Sequence, residues 1–413
     1  MTTKKMKTEE IVYDEHIYPR ESVDRHVVQR YRESIDKLPP ITVDKKNRIV
    51  DGYHRLMAFR AEGITEIEVN VLDTTDDAIC LETAIRMNAV HGHQLIPEDK
   101  KNWVRRLYTN NMPLSELLEL FSISEKTVLR YTHDIREQQD EDRDMAILKL
   151  YLSCHTEEEI ADKVGLKKSR ISEMISGFGH MSKTEQPSLS CQDTDFWEFN
   201  ACDPQFGEKY PGRMPGQVIE NLLWYYTQPF DLVLDPMAGS GTTGDVCKAM
   251  SRRYAMYDLN PDESKGIQKW DITNGLPKLR VKQKPKLIVL DPPYSIQKRG
   301  EYTKQVTDLS NHTEEEFYNT INTIAESCMS ALTEHGIVAC IIGQVGSMSG
   351  EPHVADLAFN TAKIFMDSGF KLIDRIFVSY ENDPIINAIS IEDAIKGRFL
   401  ICAYRDLMIF EAV

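Results

Sequence analysis

The chain has 413 residues, 41% of them hydrophobic, which is too long for one ordinary core and predicts two or three globular domains. It contains no run of about 18 apolar residues and no apolar signal core, so we expect a soluble cytoplasmic protein without a membrane segment. Its eight cysteines form no Cys-x-x-Cys pair, which argues against a metal site or disulfide framework, and a formal net charge of −16 opposes nucleic-acid binding unless cations cluster locally.

Residues 8–95 form the first predicted domain, a small α+β unit. Short β-like segments such as ITVD alternate with helical periodicity, and Gly63 is a natural end for the helix in HRLMAFRAEG. The stretch from Asp51 to Arg55 opens this helix, either as an anion site or as a simple capped start.

Two segments of this domain, DGYHRLMAFRAEG and RMNAVHGHQLIPEDK, resemble the ParB/sulfiredoxin-type N-terminal domain. The resemblance implies a role in docking to DNA. Tyr53 stands where sulfiredoxins have their cysteine, and the doubled arginine of chromosome-partition ParB is missing. Nucleotide hydrolysis is therefore not expected, and nucleotide binding stays open.

Two helix-turn-helix candidates follow within residues 96–180. In residues 112–135, Ser115 is expected to cap the first helix and Ser124 the second, and in residues 155–178 Gly165 makes the turn. The second helix of each motif carries the expected DNA contacts, which are Lys126, Thr127, Arg130, Lys167, Lys168, Ser169 and Arg170. Helical hairpins packed for structural reasons are the alternative. The polar residues 181–195 then predict a linker.

Residues 231–250, DLVLDPMAGSGTTGDVCKAM, predict a buried strand, a glycine-rich turn and a helix. Gly239 and Gly241 let the backbone pass close to a ligand, and Asp235 at the strand tip suits the amino group of an amino-acid ligand better than a pyrophosphate. The next strand ends at Asp258, where a carboxylate suits ribose hydroxyls, and Asp271 follows in a place that suits an adenine amino group.

The segment KLIVL, residues 286–290, predicts a strand that is buried on both faces, and DPPY follows it directly. Asp291 lies where the strand stops. Pro292 and Pro293 fix φ and donate no backbone hydrogen bond, so the carbonyls and the Tyr294 ring are presented rigidly and can grip a flat ligand. Two ligand sites therefore share one predicted sheet edge.

In this order and spacing, DPMAGSGTT and DPPY resemble the S-adenosylmethionine-dependent amino-methyltransferases that act on adenine N6 or cytosine N4 of DNA. The resemblance covers residues 196–413 and implies a Rossmann-like α/β domain with a mostly parallel sheet and an antiparallel last strand. The implied cofactor is S-adenosylmethionine, with contacts from Asp235, Pro236, Ala238, Gly239, Ser240, Gly241, Thr242, Thr243, Asp258 and Asp271.

The resemblance also implies a catalytic turn formed by Asp291, Pro292, Pro293 and Tyr294. An exocyclic amine is a poor nucleophile because its lone pair is delocalised into the ring. Asp291 and the Pro292 carbonyl are expected to accept hydrogen bonds from the amine and to aim its lone pair at the methyl group, while Tyr294 stacks on a flipped base. No metal is expected, because the sulfonium already activates the methyl group.

Only 55 residues separate Asp235 from Asp291, too few for the large target-recognition domain that some relatives insert there. Recognition of DNA is therefore expected from the helix-turn-helix pair, from the N-terminal domain, or from the loop 295–311 through Lys298 and Arg299. Residues 251–300 carry 11 Lys and Arg against 5 Asp and Glu, which indicates either a phosphate-binding surface or a solvated face.

The predicted function is methylation of DNA, with adenine favoured because Asp and not Ser stands at position 291. Alternatives are a cytosine N4 methyltransferase, a ParB-like DNA-binding regulator with an inactive catalytic half, and methylation of RNA or of a protein amide. The target sequence and the question of a homo-oligomer stay open.

Overall fold

The computed structural model of the protein describes residues 2–20, 23–90, 95–181, 192–199, 203, 205–206, 214–293, 307–343, 357–380, 392, 395–396 and 404–413. The chain divides into two compact units, unit 1 (Met1–Asp142) and unit 2 (Arg143–Val413). The finer domain boundaries that the sequence suggests, at residues 95, 180 and 195, stay a prediction.

Four short strands form the sheet of unit 1: β1 (Thr2–Lys7), β2 (Ile41–Val43), β3 (Ile49–Asp51) and β4 (Glu66–Val71). Their order is β1-β4-β2-β3. β2 and β4 are parallel, and the other two pairs are antiparallel. β2 is buried along its whole length, because helices and neighbouring strands cover it.

The helices of unit 1 are α1 (Arg25–Arg32), α2 (Tyr53–Ala61), α3 (Asp77–Val90), α4 (Pro97–Thr109), α5 (Leu114–Phe121) and α6 (Glu125–Tyr131). Asp24 caps α1 by accepting hydrogen bonds from two backbone N–H groups. Gly63 follows α2 with φ of 70°, as the sequence predicts, because only glycine adopts this left-handed conformation freely. The mixture of strands and helices confirms the expected α+β character.

The start of α2 is held by contacts within the chain. Arg55 forms an ion pair with Asp51 at 2.6 Å and donates to the carbonyls of Pro39 and Pro40. His54 is buried and accepts a hydrogen bond from the Asp24 N–H at 2.9 Å. These contacts engage Arg55 and His54 within the chain, and Gly52 precedes α2 without a side-chain cap, so the anion site stays a prediction.

Arg48 anchors the loop regions of unit 1 through three carboxylates. Its guanidinium lies 2.8 Å from Asp44, 3.0 Å from Asp14 and 2.7 Å from Asp77. Asp44 is fully buried, and a carboxylate in a low-dielectric interior is stabilised by a paired cation.

The first helix-turn-helix candidate consists of α5 and α6. Ser124 caps α6 by accepting from the Thr127 N–H, as predicted. The prediction for Ser115 is wrong: α5 begins at Leu114, Pro113 holds the capping position, and Ser115 lies inside the first turn. Proline can occupy this position because its φ is fixed at a value that suits a helix start and because an N–H group there would have no partner.

Unit 2 contains a sheet of eight strands: β5 (Phe196–Phe199), β6 (Leu232–Asp235), β7 (Arg253–Asp258), β8 (Gln268–Lys269), β9 (Leu287–Leu290), β10 (Ile337–Gly343), β11 (Phe370–Tyr380) and β12 (Arg405–Ala412). Their order is β5-β11-β12-β10-β9-β6-β7-β8. β8, β7, β6, β9 and β10 are parallel in succession, whereas β12 is antiparallel to both of its neighbours. The predicted Rossmann-like α/β fold with an antiparallel last strand is confirmed.

Alternate residues of the central strands enter two separate cores. Leu232, Leu234 and Ile288 pack into the core on one face of the sheet, while Val233 and Val289 pack into the core on the other. Every residue of β6 and β9 is buried. This two-sided burial explains why both strands are continuous apolar runs in the sequence.

The helices of unit 2 pack either on these two faces or in a small separate core. Besides the C-terminal part of α7 (His133–Leu152), they are α8 (Glu157–Val164), α9 (Lys168–Met181), α10 (Gly216–Tyr226), α11 (Thr242–Ala249), α12 (Glu314–Ala331) and α13 (Leu357–Asp367). α8 and α9 form the second helix-turn-helix candidate, and Gly165 turns the chain between them with φ of 70°, as predicted.

The end of α7 packs against the eight-stranded sheet. Arg253, at the start of β7, donates to the Tyr151 carbonyl at 3.1 Å, and its guanidinium lies 4.2 Å from the centre of the Tyr151 ring. Cys154 and Leu152 enter the two cores of the sheet. The second helix-turn-helix candidate therefore belongs to the same compact unit as the sheet.

Five cysteines in the described part of the chain are free and buried, namely Cys80, Cys154, Cys247, Cys328 and Cys340. Among the described residues, no group of three or more His, Cys, Asp or Glu side chains has an arrangement that could hold a metal ion. None of the described helices is long and apolar enough to span a bilayer.

Candidate active site

The sheet of unit 2 has a switch point between β6 and β9. From β6 the chain continues outward to β7 and β8, whereas from β9 it continues in the opposite direction to β10. Open α/β sheets bind ligands in the crevice at such a point, outside the carboxyl ends of the strands. Asp235 is the last residue of β6, and Asp291 directly follows β9, so both predicted site acids flank this crevice.

The glycine-rich turn leads from β6 into α11. Gly241 precedes the helix with φ of 87°, a conformation that L side chains rarely adopt. Gly244, in the first turn of α11, lies against β7, where an added Cβ would come within 2.4 Å of Met256 Cε. Glycine is thus needed at one position for the backbone and at the other for close helix-strand packing.

Asp235 is buried beneath this turn. One of its carboxylate oxygens accepts from Thr243 Oγ1 at 2.6 Å, and the other accepts from the Met237 N–H at 3.0 Å. Burial, helped by the nearby charges of Asp258 and Asp291, raises the pKa of Asp235 to about 7 against the lowering effect of its two hydrogen bonds. Asp235 therefore organises the turn, and the carboxylates around it make the crevice favourable for a cation.

Asp258, at the end of β7, holds the turn from the other side. Its carboxylate accepts from the Gly239 N–H and from the Asn260 N–H, both at 2.9 Å. The Ala238 N–H also donates to the Tyr257 carbonyl at 2.9 Å. The structure thus places Asp258 against the glycine-rich turn, which it helps to shape, and its contact with ribose hydroxyls stays a prediction.

Asp271 lies farther along the same edge, after β8. Its side chain caps a short 3-10 turn by accepting from the Thr273 N–H at 3.0 Å and from Thr273 Oγ1 at 2.7 Å. This local role explains the aspartate without a ligand, so its contact with an adenine amino group stays a prediction.

The remaining predicted cofactor residues lie in or directly after the turn. Pro236, Ala238, Thr242 and Thr243 are buried, and Ser240 is half-buried. Lys265, which the sequence reasoning did not single out, donates to the Ser240 carbonyl at 3.1 Å. Its signal was weak, because nothing in the sequence relates a lysine seven residues after Asp258 to the turn.

Of the predicted catalytic turn, the structure describes Asp291, Pro292 and Pro293. Pro292 is buried, and its two neighbours are half-buried. Cys340 lies on β10 and is level with Leu290 on the adjacent β9. Burial and the charge of Asp291 both raise the pKa of Cys340. Tyr294, Lys298 and Arg299 lie outside the described residues, so their roles stay predictions.

The residues predicted to contact DNA lie on α6 and at the start of α9. Lys126 and Arg130 are exposed on α6, and Thr127 is half-buried. Lys167, Lys168, Ser169 and Arg170 are exposed at the start of α9. Lys168 pairs with Glu158, and Arg170 pairs with Glu173 at 2.7 Å. Exposed pairs of this kind are weak and leave the cations accessible to a phosphate.

Lys286 belongs to the basic run of residues 251–300 and lies far from the predicted catalytic turn. Lys286 pairs by its backbone N–H with the carbonyl of Leu232, the first residue of β6, and its side chain donates to the His335 carbonyl. This is the amino end of the parallel strands, opposite Asp291. Lys286 therefore lies at the far edge of the sheet, whereas Lys298 and Arg299 at the end of the run lie outside the described residues.

Part of the chain is similar to a known protein family. The sequence profile described as DNA methylase matches residues 95–269. This chain is similar to DNA methylases. The matched range includes the glycine-rich turn, Asp235 and Asp258, and it ends before Asp291, so it leaves the roles of the single site residues untested.

Two curated relatives show the same likeness. Type II methyltransferase M.Cfr9I of Citrobacter freundii is 36% identical over 66 residues, 16% of this chain and 21% of that protein. DNA adenine methyltransferase YhdJ of Escherichia coli strain K12 is 32% identical over 68 residues, 16% of this chain and 23% of that protein. The chain thus spans about a fifth of the length of the curated relatives that it matches.

Among solved structures, the C-terminally truncated chromosome-partitioning protein ParB from Caulobacter crescentus, complexed to the centromeric parS site, is similar. The identity is 15%, the match covers 42% of this chain and 92% of that chain, and the TM-score is 0.25. The fold of unit 1 is defined by its own strand order.

Proposed function

We propose that the chain is a DNA methyltransferase that transfers a methyl group from S-adenosylmethionine to the N6 amine of a flipped adenine. The observation that supports this most directly is the switch point, where a glycine-rich turn after β6 and an Asp-Pro-Pro turn after β9 lie on neighbouring strands. Neighbouring strands are about 4.8 Å apart, so ligands held by the two turns come into contact.

The chemistry of the crevice fits this cofactor. S-adenosylmethionine carries a sulfonium and an ammonium charge, and the carboxylates of Asp235, Asp258 and Asp291 lie close enough to influence one another. A cation at this place relieves their mutual repulsion. Bound there, the cofactor supplies a methyl group that its sulfonium already activates.

Asp291 and the Pro292 carbonyl have the task of orienting the target amine. Each accepts a hydrogen bond from one amine hydrogen, which draws the nitrogen toward tetrahedral geometry and directs its lone pair at the methyl group. The two prolines keep the acceptors in place because their φ angles are fixed. Tyr294 is expected from the sequence to stack on the base.

DNA is the proposed partner, held by the exposed cations of α6 and α9. A base inside a duplex is out of reach of the crevice, so it must be extruded, which costs a few kcal/mol that stacking and hydrogen bonding in the site offset. Adenine is preferred over cytosine because the aspartate at 291 matches the adenine-type motif that the sequence resembles. The adenine methyltransferase YhdJ among the relatives agrees with this preference.

Incubation of the full chain with methyl-labelled S-adenosylmethionine and unmodified DNA, followed by chromatography of the nucleosides, tests the proposal. Labelled N6-methyldeoxyadenosine is the expected product, and labelled N4-methyldeoxycytidine would correct the base. If no nucleoside is labelled and the chain does not bind the cofactor in calorimetry, the proposal fails in favour of a DNA-binding regulator with an inactive catalytic half.

An Asp291→Asn variant tests the assignment of the catalytic turn. Asparagine removes the negative charge of the acceptor and can present an N–H donor to the amine, so methyl transfer is expected to fall about 10²-fold to 10³-fold while cofactor affinity changes little. Asp262→Asn is the matched control, because Asp262 is an exposed acid that caps a turn after β7. Equal activity of both variants would show that Asp291 does not act on the amine.

A further inference from the structure

A polar and aromatic cluster lies on the last two strands of the sheet, at the same edge as the catalytic turn. It consists of Arg375 and Phe377 on β11, together with Tyr404 and Asp406 at the start of β12. We call these four residues the edge cluster. None of them belongs to the methyl-transfer site described above.

The register of the strands places the edge cluster at the height of the catalytic turn. Leu290 is level with Cys340, and Cys340 with Met408 and Arg375. Asp406 is level with Ile342, two residues farther toward the edge, and with Phe377 on its other side. Pro292 lies two residues after Leu290, just beyond the end of β9. The row formed by Phe377, Asp406 and Ile342 is therefore level with the predicted catalytic turn.

Arg375 extends along its strand into this row. Its Nε donates to Asp406 Oδ1 at 2.7 Å, and its guanidinium lies 5.4 Å from the centre of the Phe377 ring. The Asp406 side chain is 0% exposed, whereas that of Arg375 is 47% exposed. A buried carboxylate and an aromatic face thus fix the orientation of a cation that still reaches solvent.

Such an arrangement needs a reason other than stability. A buried carboxylate loses its hydration, which offsets much of the Coulombic gain from its ion pair, so the pair is weak evidence for a gain in stability. The pair does preorganise the guanidinium, whose planar set of donors matches a phosphate. Tyr404 packs edge-to-face on Phe377 at 4.7 Å and widens the aromatic surface beside it.

We infer that Arg375 binds a phosphate of the target DNA strand next to the extruded nucleotide, with Asp406 and Phe377 as its positioning residues. The inference rests on the proposed function and extends it to the DNA backbone. β11 is three strands away from β9, about 14 Å at 4.8 Å a strand. With a charge every 3.4 Å or so along each strand of a duplex, this reach selects a flanking phosphate and not that of the flipped base.

The salt dependence of DNA binding tests the inference. The logarithm of the binding constant falls with the logarithm of salt concentration, and each phosphate contact contributes about 0.9 to the slope. Arg375→Gln should therefore lower the slope by about 0.9, which means about 3.5-fold less loss of affinity when salt rises fourfold. Arg375→Lys keeps the charge and should keep the slope.

Lys371→Gln is the matched control. Lys371 is exposed on the same strand, level with Glu411 and Ile337 at the opposite end of β10. Its variant should bind with the wild-type slope. If Arg375→Gln and Lys371→Gln change the slope equally, or if neither changes it while both melt like the wild type, the inference is overturned.

A second measurement remains decisive if Arg375→Gln does not fold. Substrates in which single phosphates near the target base are replaced by neutral methylphosphonates are offered to the wild-type enzyme. One flanking position should raise KM for DNA and leave kcat unchanged, and a uniform response at all positions overturns the inference. If the wild type methylates no DNA at all, the proposed function has failed instead, so the two failures are distinguishable.

Discussion

Replacement of Asp235 by Asn should remove most of the pH dependence of the stability of unit 2 between pH 5 and pH 8. Burial raises the pKa of Asp235 from 3.8 to about 7 in the folded chain. Between these two values the folded state keeps a proton that the unfolded state releases, so stability falls as pH rises through this window. About three pH units at 1.36 kcal/mol each give at most about 4 kcal/mol, of which about 3 kcal/mol lies above pH 5.

Urea unfolding at pH 5, 6, 7 and 8, followed by tryptophan fluorescence, measures this difference. A Trp103→Phe background confines the signal to unit 2, because the remaining three of the four tryptophans, Trp197, Trp224 and Trp270, lie there. The parent chain should lose about 3 kcal/mol more than the Asp235→Asn chain over this range. Asn still accepts from the Met237 N–H, so the turn keeps one of its two hydrogen bonds unchanged.

Asp262→Asn serves as the control here as well, because Asp262 is exposed and its hydrogen bonds to Ser264 lower its pKa below 3.8, well outside the window. Its pH profile should match that of the parent. The reasoning is refuted if Asp235→Asn loses as much stability between pH 5 and pH 8 as the parent, since the buried carboxyl would then not be the source.

Two further predictions concern the backbone of the cofactor turn and the core of unit 1. Gly241→Ala should cost about 1–2 kcal/mol of strain and weaken cofactor binding in calorimetry, because φ is 87° while the nearest atom to an added Cβ is a relaxed 3.5 Å away. Gly63→Ala carries similar strain in open space and should leave cofactor affinity unchanged. Arg48→Met should destabilise unit 1 by about 3–5 kcal/mol, because it leaves the buried Asp44 without its cation. Hydrogen exchange by mass spectrometry should show faster exchange in β2 and β4, and unchanged protection there would contradict the role of Arg48.

Sequence reasoning succeeded where one short segment decides the structure. The strands β6 and β9 are predictable because burial on both faces demands an apolar residue at every position. Ser124 and Gly165 are predictable because capping and left-handed turns depend on the chemistry of the residue itself. Ser115 was misassigned because Pro113, two residues earlier, also satisfies a helix start.

The parts that could not be predicted depend on contacts between distant segments. The hydrogen bond from the Gly239 N–H to Asp258 joins positions 19 residues apart, and the pair Arg375–Asp406 joins positions 31 apart. Both require the strand order before they can be recognised. The position of Lys286 could not be predicted for the same reason, since only the register shows that this residue, directly before β9, lies at the far edge.

The alkylation rates of the buried cysteines report how often each unit opens. Burial raises the pKa of Cys80 in unit 1 and, together with Asp291, that of Cys340 under the catalytic turn. A thiol reagent reacts with the thiolate, so these sulfurs should be alkylated only while their surroundings are transiently unfolded. Peptide mapping after timed alkylation would then measure the transient unfolding of both units within one sample.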